Sequence, residues 1–226
     1  MKKNSIIFLD WDGTLCWSRF WESLRIDGSP LRKFGEKIED LLFSRDRTLL
    51  NEWMRGKRNS EQINILLCEQ LSIDQKELWN IFVQDCKRMY FDDKLQKKIE
   101  QIRTQSYVIL VTGNVDGFSR FTVPALGLEN IFDQIINSSA LGYLKTEKEG
   151  ETFLACLRLY GIPITDTFLI DDSAKACDFF SSLGGQSYIV RDGKNDTLRF
   201  MEDIYQTLAI KPIDNFRSAT LAAPCR

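Results

Sequence analysis

Apolar positions follow two different periods along this chain. Short continuous or alternating runs, each bounded by turn residues, occur at Ile6 to Leu9, Tyr107 to Val111, Gln134 to Ile136, Thr167 to Ile170 and Ser187 to Val190. They predict five short buried strands. Between the later runs, apolar residues recur at helical spacing. Phe153, Leu157 and Tyr160 mark one helix, and Cys177, Phe180 and Leu183 a second, closed by Gly184-Gly185 as a C-cap. Strands alternating with helices predict an α/β fold with a parallel sheet.

From about Cys16 to Thr104 the period changes. No strand pattern occurs, and apolar residues repeat at three and four: Trp17, Phe20, Trp21 and Leu24, then Leu31, Phe34, Ile38 and Leu41. Asp74 and Glu77 form a capping-box-like start to a helix carrying Leu78, Ile81, Phe82 and Asp85, and Leu95, Ile99 and Ile102 mark a helix leading back to the sheet. The expected organisation is an α/β domain of residues 1–15 and 105–212, interrupted by an all-helical insert, 16–104, and followed by a tail, 213–226, whose end from Ala219 to Arg226 reads as frayed.

Composition narrows the chemistry more than the fold. A length of 226 residues allows one to two domains at about 150 residues each. With 43% hydrophobic and 27% charged residues the chain is an ordinary globular one. Thirty basic against thirty-two acidic residues leave a net charge of −2, so no general field grips nucleic acid or an anionic membrane, and an anionic ligand must be bound locally. The absence of His excludes Ser-His-Asp and Cys-His triads and any His-ligated metal. Six cysteines without a C-x-x-C pair read as reduced core thiols. The apolar run before Asp10 is too short for a signal segment or a membrane span, which leads to the expectation of a cytoplasmic protein.

The first predicted strand ends in Leu9-Asp10-Trp11-Asp12-Gly13-Thr14-Leu15, two carboxylates one residue apart followed by a residue able to turn sharply. They would stand at the carboxyl edge of the sheet, where open α/β sheets bind ligands. A D-x-D-G-T string is expected by chance on the order of 0.002–0.003 times in a chain of this length.

The segment Ile6 to Leu15 resembles the opening motif of the haloacid dehalogenase superfamily of phosphatases and phosphotransferases. Three further segments resemble that family's later motifs in order and spacing. Tyr107 to Thr112, followed by Gly113-Asn114, is similar to the second; Gly142-Tyr143-Leu144-Lys145 to the approach to the third; and Phe168-Leu169-Ile170-Asp171-Asp172-Ser173 to the fourth. The resemblance covers Ile6 to about Gly193. It implies a Rossmann-like parallel sheet with helices on both faces, with the helical insert as a cap. Asp10 would be the nucleophile, Asp12 the general acid and base, and Thr112 and Lys145 phosphate-stabilising residues, with Gly113 and Asn114 beside the substrate. Asp10, Asp12 (through its carbonyl), Asp171 and Asp172 would hold Mg²⁺.

The chemistry is consistent with those residue types. An ionised carboxylate can attack phosphorus, a second can protonate the departing alcohol, and a hard cation with a Lys can offset the repulsion between two anions. Lys148 lies close enough to Lys145 to be its alternative. Relatives that cleave carbon–halogen bonds typically lack an acid two residues after the nucleophile, so Asp12 points to phosphate esters. The expected activity is a Mg²⁺-dependent phosphatase acting on a small phosphorylated metabolite through an aspartyl-phosphate, with no nucleic acid or membrane partner. The alternatives are a phosphomutase or phosphotransferase, and a non-catalytic relative that binds a phosphorylated ligand or a partner. Trp17, Phe20 and Trp21 read as helix core rather than substrate contacts, and Arg55-Gly56-Lys57-Arg58 as a solvated loop, with capture of a second substrate anion as its alternative.

Overall fold

Four consecutive apolar residues, Ile6–Leu9, can be buried on both sides only in the middle of a sheet, and in the computed structural model that is where they lie. The structure describes residues 3–28, 31–44 and 46–210. Five parallel strands, β1 (Ile6–Leu9), β2 (Tyr107–Thr112), β3 (Gln134–Asn137), β4 (Thr167–Asp171) and β5 (Gln186–Ile189), run in the order β3-β2-β1-β4-β5. The predicted strands are all present, with ends shifted by at most one residue. Each central strand sends alternate residues to opposite faces, as the pleat requires. Ile6, Phe8, Ile109, Val111 and Leu169 pack on one face; Ile7, Leu9, Val108, Leu110, Phe168 and Ile170 pack on the other.

Between β1 and β2 the chain forms α1 (Arg32–Glu39), α2 (Thr48–Met54), α3 (Ser60–Leu71), α4 (Gln75–Lys87) and α5 (Asp93–Arg103). Short helices α6 (Val123–Leu126) and α7 (Leu128–Ile131) precede β3, and α8 (Ser138–Leu141) follows it. Next come α9 (Glu151–Tyr160) before β4, α10 (Ala174–Ser182) before β5, and α11 (Gly193–Ile210) at the end. Helices α9 and α10 cover the first face through Phe153, Cys156, Leu157 and Phe180. Helices α5 and α11 cover the second through Leu95, Ile99, Ile102, Met201 and Ile204. The fold is thus a Rossmann-like parallel sheet with helices on both faces plus further helices, as expected. No helix among the described residues is long and apolar enough to cross a membrane.

Two parts of the helical reading need correction. The stretch carrying Trp17, Phe20, Trp21 and Leu24 is not an α-helix: Trp21 takes a left-handed φ of 54°, and only a short turn, Glu22–Arg25, follows. There the Ser23 N–H and hydroxyl donate to the buried Asp85 carboxylate at 3.0 and 2.7 Å, so tertiary hydrogen bonds replace an intrahelical ladder. A further helix beyond those expected, α11, carries Leu198, Met201, Tyr205 and Leu208 at helical spacing. The Asp74 N-cap of α4 is present, its carboxylate accepting from Glu77 N–H at 2.9 Å.

The insert's buried side chains are continuous with the sheet's second face. One cluster runs from Ile7 and Leu9 through Trp11 and Phe118 to Trp21, Trp53, Ile63 and Phe82. Polar ties reinforce it. Asp116, at the start of the helical turn after β2, accepts from Trp53 Nε1 at 2.9 Å and Ser60 Oγ at 2.6 Å, and from Arg120, which also pairs with Glu61. Of the six cysteines, Cys16, Cys86, Cys156 and Cys177 are buried, Cys68 is half-buried, all five are free, and Cys225 lies outside the described residues. The expected tail 213–226 lies outside them too.

Candidate active site

The order β3-β2-β1-β4-β5 reverses direction at β1, and the carboxyl ends of β1 and β4 face a common crevice, the position where such sheets bind ligands. Asp10 follows β1 directly, and its N–H donates to Ile170 O at 3.1 Å, which continues the ladder and fixes the residue beside the end of β4. Asp10 Oδ1 then accepts from Trp11 N–H at 2.8 Å. Trp11 is buried against Phe91 and Phe118 and anchors the turn that brings Asp12 to the crevice. Its carbonyl accepts from the N–H groups of Leu15 and Cys16 at 2.9 and 3.0 Å. Thr197 of α11 donates its hydroxyl to Thr14 O at 2.8 Å and braces the same turn from behind.

Lys145 is 9% exposed, and its Nζ stands 2.7 Å from Asp10 Oδ2 and 2.5 Å from Asp171 Oδ2. Burial disfavours its charge, but the two carboxylates outweigh burial and hold the ammonium above the usual Lys range. Lys148, the alternative read from sequence, is exposed in the following turn. Asp171 Oδ1 accepts from Ser173 N–H at 2.9 Å, and burial raises the Asp171 carboxyl despite its contact with Lys145. Asp172 is raised as well, by partial burial and by the Asp10 charge. Carboxylate oxygens of Asp10, Asp171 and Asp172 lie within 4.8 Å of one another. One lysine against this many acids leaves surplus negative charge, and the donors are all hard oxygens, so the set fits a divalent cation such as Mg²⁺.

Asp12 is exposed where it opens onto the crevice. Asn114 Nδ2 donates to its Oδ2 at 3.0 Å, and Asn114 is itself held by Val115 N–H, which donates to Asn114 Oδ1 at 2.8 Å. Desolvation first, then the charges of Asp10 and Asp172, push the Asp12 pKa up to about 7, against the opposing pull of Lys145 and Arg19. A carboxyl poised near neutrality can give and take a proton.

A cavity of about 650 Å³ opens above these residues. Its floor includes Asp12, Gly13, Gly113, Asn114, Lys145 and Asp172, and its walls bring in Trp17, Arg19, Phe20, Arg47, Leu50 and Met54 from the insert. Trp17 is 42% exposed, whereas Phe20 and Trp21 pack with Trp53 and Phe82, so the aromatic run supplies both core and cavity wall. The structure brings all the sequence-predicted carboxylates together with Lys145, Gly113 and Asn114. Asp10 and Asp171, both buried, do not line the cavity themselves but meet it through Lys145, and Thr112 lacks even that link. It ends β2 at 1% exposure, its hydroxyl has no hydrogen-bond partner among the described residues, and it does not line the cavity.

The sequence profile of haloacid dehalogenase-like hydrolases matches residues 5–184, most of the chain and every residue just described up to Asp172. The protein belongs to the haloacid dehalogenase-like hydrolase family. Its structural relatives agree on the fold. A member of this family from Bacteroides thetaiotaomicron, crystallised with magnesium and inorganic phosphate, superimposes with a TM-score of 0.66 at 18% identity over 84% of this chain and 96% of its own. A predicted family hydrolase from Porphyromonas gingivalis gives 0.66 at 16% identity over 91% and 98%. The L-2-haloacid dehalogenase of Xanthobacter autotrophicus gives 0.59 at 15% identity over 81% and 76%. No functionally curated protein matches the sequence. Within this hydrolase, two supporting features escaped the sequence reading. The Asn114 bond to Asp12 makes Asn114 an acid-holding residue as well as a cavity-lining one, and Thr197 braces the Asp12 turn from α11. For Thr197 the apolar spacing of α11 was the available signal.

Proposed function

We propose that this hydrolase is a cytoplasmic Mg²⁺-dependent phosphatase that cleaves a small phosphorylated metabolite through an aspartyl-phosphate on Asp10, with the helical segment 16–104 as the cap over its cavity. The observation that carries the reading is the placement of Asp12: a carboxyl facing the cavity and held by Asn114, two residues after a buried carboxylate that meets the cavity-lining Lys145. Asp10 attacks phosphorus while the protonated Asp12 gives its proton to the departing alkoxide, so the P–O bond to the alcohol breaks as the Asp10–phosphorus bond forms. Asp12, now ionised, takes a proton from water as that water attacks phosphorus. Phosphate departs, and Asp10 and Asp12 return to their starting forms. Lys145 offsets charge on the phosphoryl oxygens from beside Asp10. Asp10, Asp171 and Asp172, with the Asp12 carbonyl, would hold Mg²⁺, which supplies the remaining positive charge. Gly113 and Asn114 line the floor where the phosphoryl group would sit, and the Thr112 hydroxyl just before them would have to be uncovered to bind one of its oxygens.

Dehalogenation shares the carboxylate nucleophile but releases halide, which needs no proton. A general acid at Asp12 would have no leaving group to protonate in that first step, which favours phosphate esters. In the test, purified protein with Mg²⁺ hydrolyses an aryl phosphate, and Asp10→Asn loses turnover by at least about a thousandfold with unchanged circular dichroism. Running the reaction in ¹⁸O-water places solvent oxygen in the released phosphate. Transfer of unlabelled phosphoryl to a sugar hydroxyl would instead identify a phosphotransferase. Full activity in Asp10→Asn would overturn the nucleophile assignment.

A further inference from the structure

The turn that carries Lys145 does not hold itself in place. Leu144 and Glu147 close it by mutual bonds: Glu147 N–H donates to Leu144 O at 2.9 Å, and Leu144 N–H donates to Glu147 Oε2 at 2.8 Å. Lys145 and Thr146 are the two residues between them. The Glu147 carboxylate is in turn clasped by a residue 92 positions away. Arg55, just past α2 in the helical insert, donates from Nη2 to Oε1 at 2.5 Å and from Nε to Oε2 at 3.2 Å. A two-point fork of this kind fixes direction as well as distance.

The same stretch of the insert is seated at three consecutive residues. Ser138 Oγ donates to Met54 O at 2.6 Å and lies 3.2 Å from Asn114 O, so the seat touches the loop that holds Asp12. Gly56 has a φ of +66° and lies so close to Ser139 O that a Cβ would collide with it. Arg55 also donates to Asn51 O at 3.0 Å, which ties its guanidinium back to its own helix. The basic run Arg55 to Arg58 is a turn exposed at Gly56 and Lys57, as expected, in which Arg55 and Arg58 are paired to Glu147 and Glu52 rather than left for a substrate.

We infer that Arg55 and Glu147 are positioning residues for Lys145, so that the lysine is correctly set between Asp10 and Asp171 only while the Met54–Gly56 seat of the insert is engaged. The inference rests on the phosphatase reading for its effect on rate, and on geometry alone for its effect on the turn. Release of Arg55 leaves Glu147 free to swing to solvent, the Leu144 amide loses its acceptor, and Lys145 Nζ gains freedom relative to Asp10. Displacement of a charge-stabilising group by about 1 Å costs up to about a hundredfold in rate.

The test uses the full chain with Mg²⁺ and an aryl phosphate, in Arg55→Ala, Arg55→Lys, Glu147→Gln, Lys145→Ala and the Arg55→Ala/Lys145→Ala pair. Arg55→Ala should lower kcat about ten- to a hundredfold with KM changed less than about threefold, Arg55→Lys should recover part of the loss, and Glu147→Gln should fall between. In the Lys145→Ala background, Arg55→Ala should cost nothing further, because the residue it positions is gone. Amide exchange over residues 143–147 should speed up in Arg55→Ala and in Glu147→Gln, with the rest of the α/β sheet unchanged. Additive losses in the pair, or an unaltered kcat with unaltered exchange, would overturn the inference. Should the unmodified protein release no phosphate from any monoester, the phosphatase reading fails by itself, and the exchange comparison still decides: unchanged protection at Leu144 refutes the latch, and faster exchange upholds it.

Discussion

Gly13 adopts a φ of +69°, and any side chain there would collide with the Asp172 carboxylate. The close approach lets the loops after β1 and β4 meet over the acid cluster. Substitution Gly13→Ala should therefore add about 1–3 kcal/mol of backbone strain and separate the two loops. The expected result is at least tenfold lower turnover with secondary structure retained, checked by kinetics beside circular dichroism. The acids themselves predict a second outcome. Because one lysine leaves several carboxylates uncompensated, Mg²⁺ should raise the melting temperature, with about 2.7 kcal/mol of stabilisation at a hundred times its dissociation constant. Asp172→Asn should shrink that increment, and a thermal shift titration measures it. At this scale the sequence was readable where chemistry sits in short strings: Asp10, Asp12, Asp171 and Asp172 stand two by two at strand ends. Arg55 was not readable, because its meaning depends on a partner 92 residues away that periodicity does not reveal.

Strand β3 and helix α5 are joined at an edge of the sheet by Asp133. Its carboxylate accepts from Val108 N–H at 2.8 Å, Arg103 at 3.1 Å and Lys3 at 3.1 Å. Burial alone would raise its pKa, but these three donors outweigh burial and hold it below the usual carboxylate range. A lowered folded-state pKa gives stability that is present above the unfolded value, about 3.9, and is lost as pH falls through the folded value. Acid unfolding below about pH 4 should therefore be less steep in Asp133→Asn, and the variant should lose about 1–3 kcal/mol at neutral pH, both read from urea titrations. Elements were legible where one local rule dominates. Four buried apolar residues in β1 have no reading but a strand. The helical spacing of Trp17 to Leu24 was overruled by Trp21's left-handed backbone and the Asp85 anchor, tertiary effects without a local signature.

Across the whole molecule, one aromatic cluster joins the insert to the sheet. Phe82 meets Trp21 at 4.9 Å, Phe20 and Trp79 at 5.6 Å, Trp53 at 5.8 Å and Phe121 at 6.3 Å between ring centres, and its edge fills the space where Gly117 has no side chain. Phe82→Ala should cost about 3–5 kcal/mol. Since the buried cluster is continuous, tryptophan fluorescence and far-ultraviolet circular dichroism should report a single coincident urea transition in the unmodified protein. Two separated transitions would mean the insert melts independently. The parallel architecture was readable from the alternation of runs and helices. The continuity of the core was not, because a sequence shows which residues are apolar but not which distant ones they meet.

The central place of β1 has a consequence for how the chain acquires its shape. Its hydrogen-bonded neighbours begin at Tyr107 and Thr167, so Ile6 must wait for partners roughly one hundred and one hundred and sixty positions downstream. During synthesis the helices of the insert can form from near neighbours before β2 or β4 exists, while β1 stays unclaimed. The residue proposed to attack phosphorus is thus translated before both partners of its strand and is among the last to be secured. Assembly of the reactive centre should coincide with the slowest step of folding.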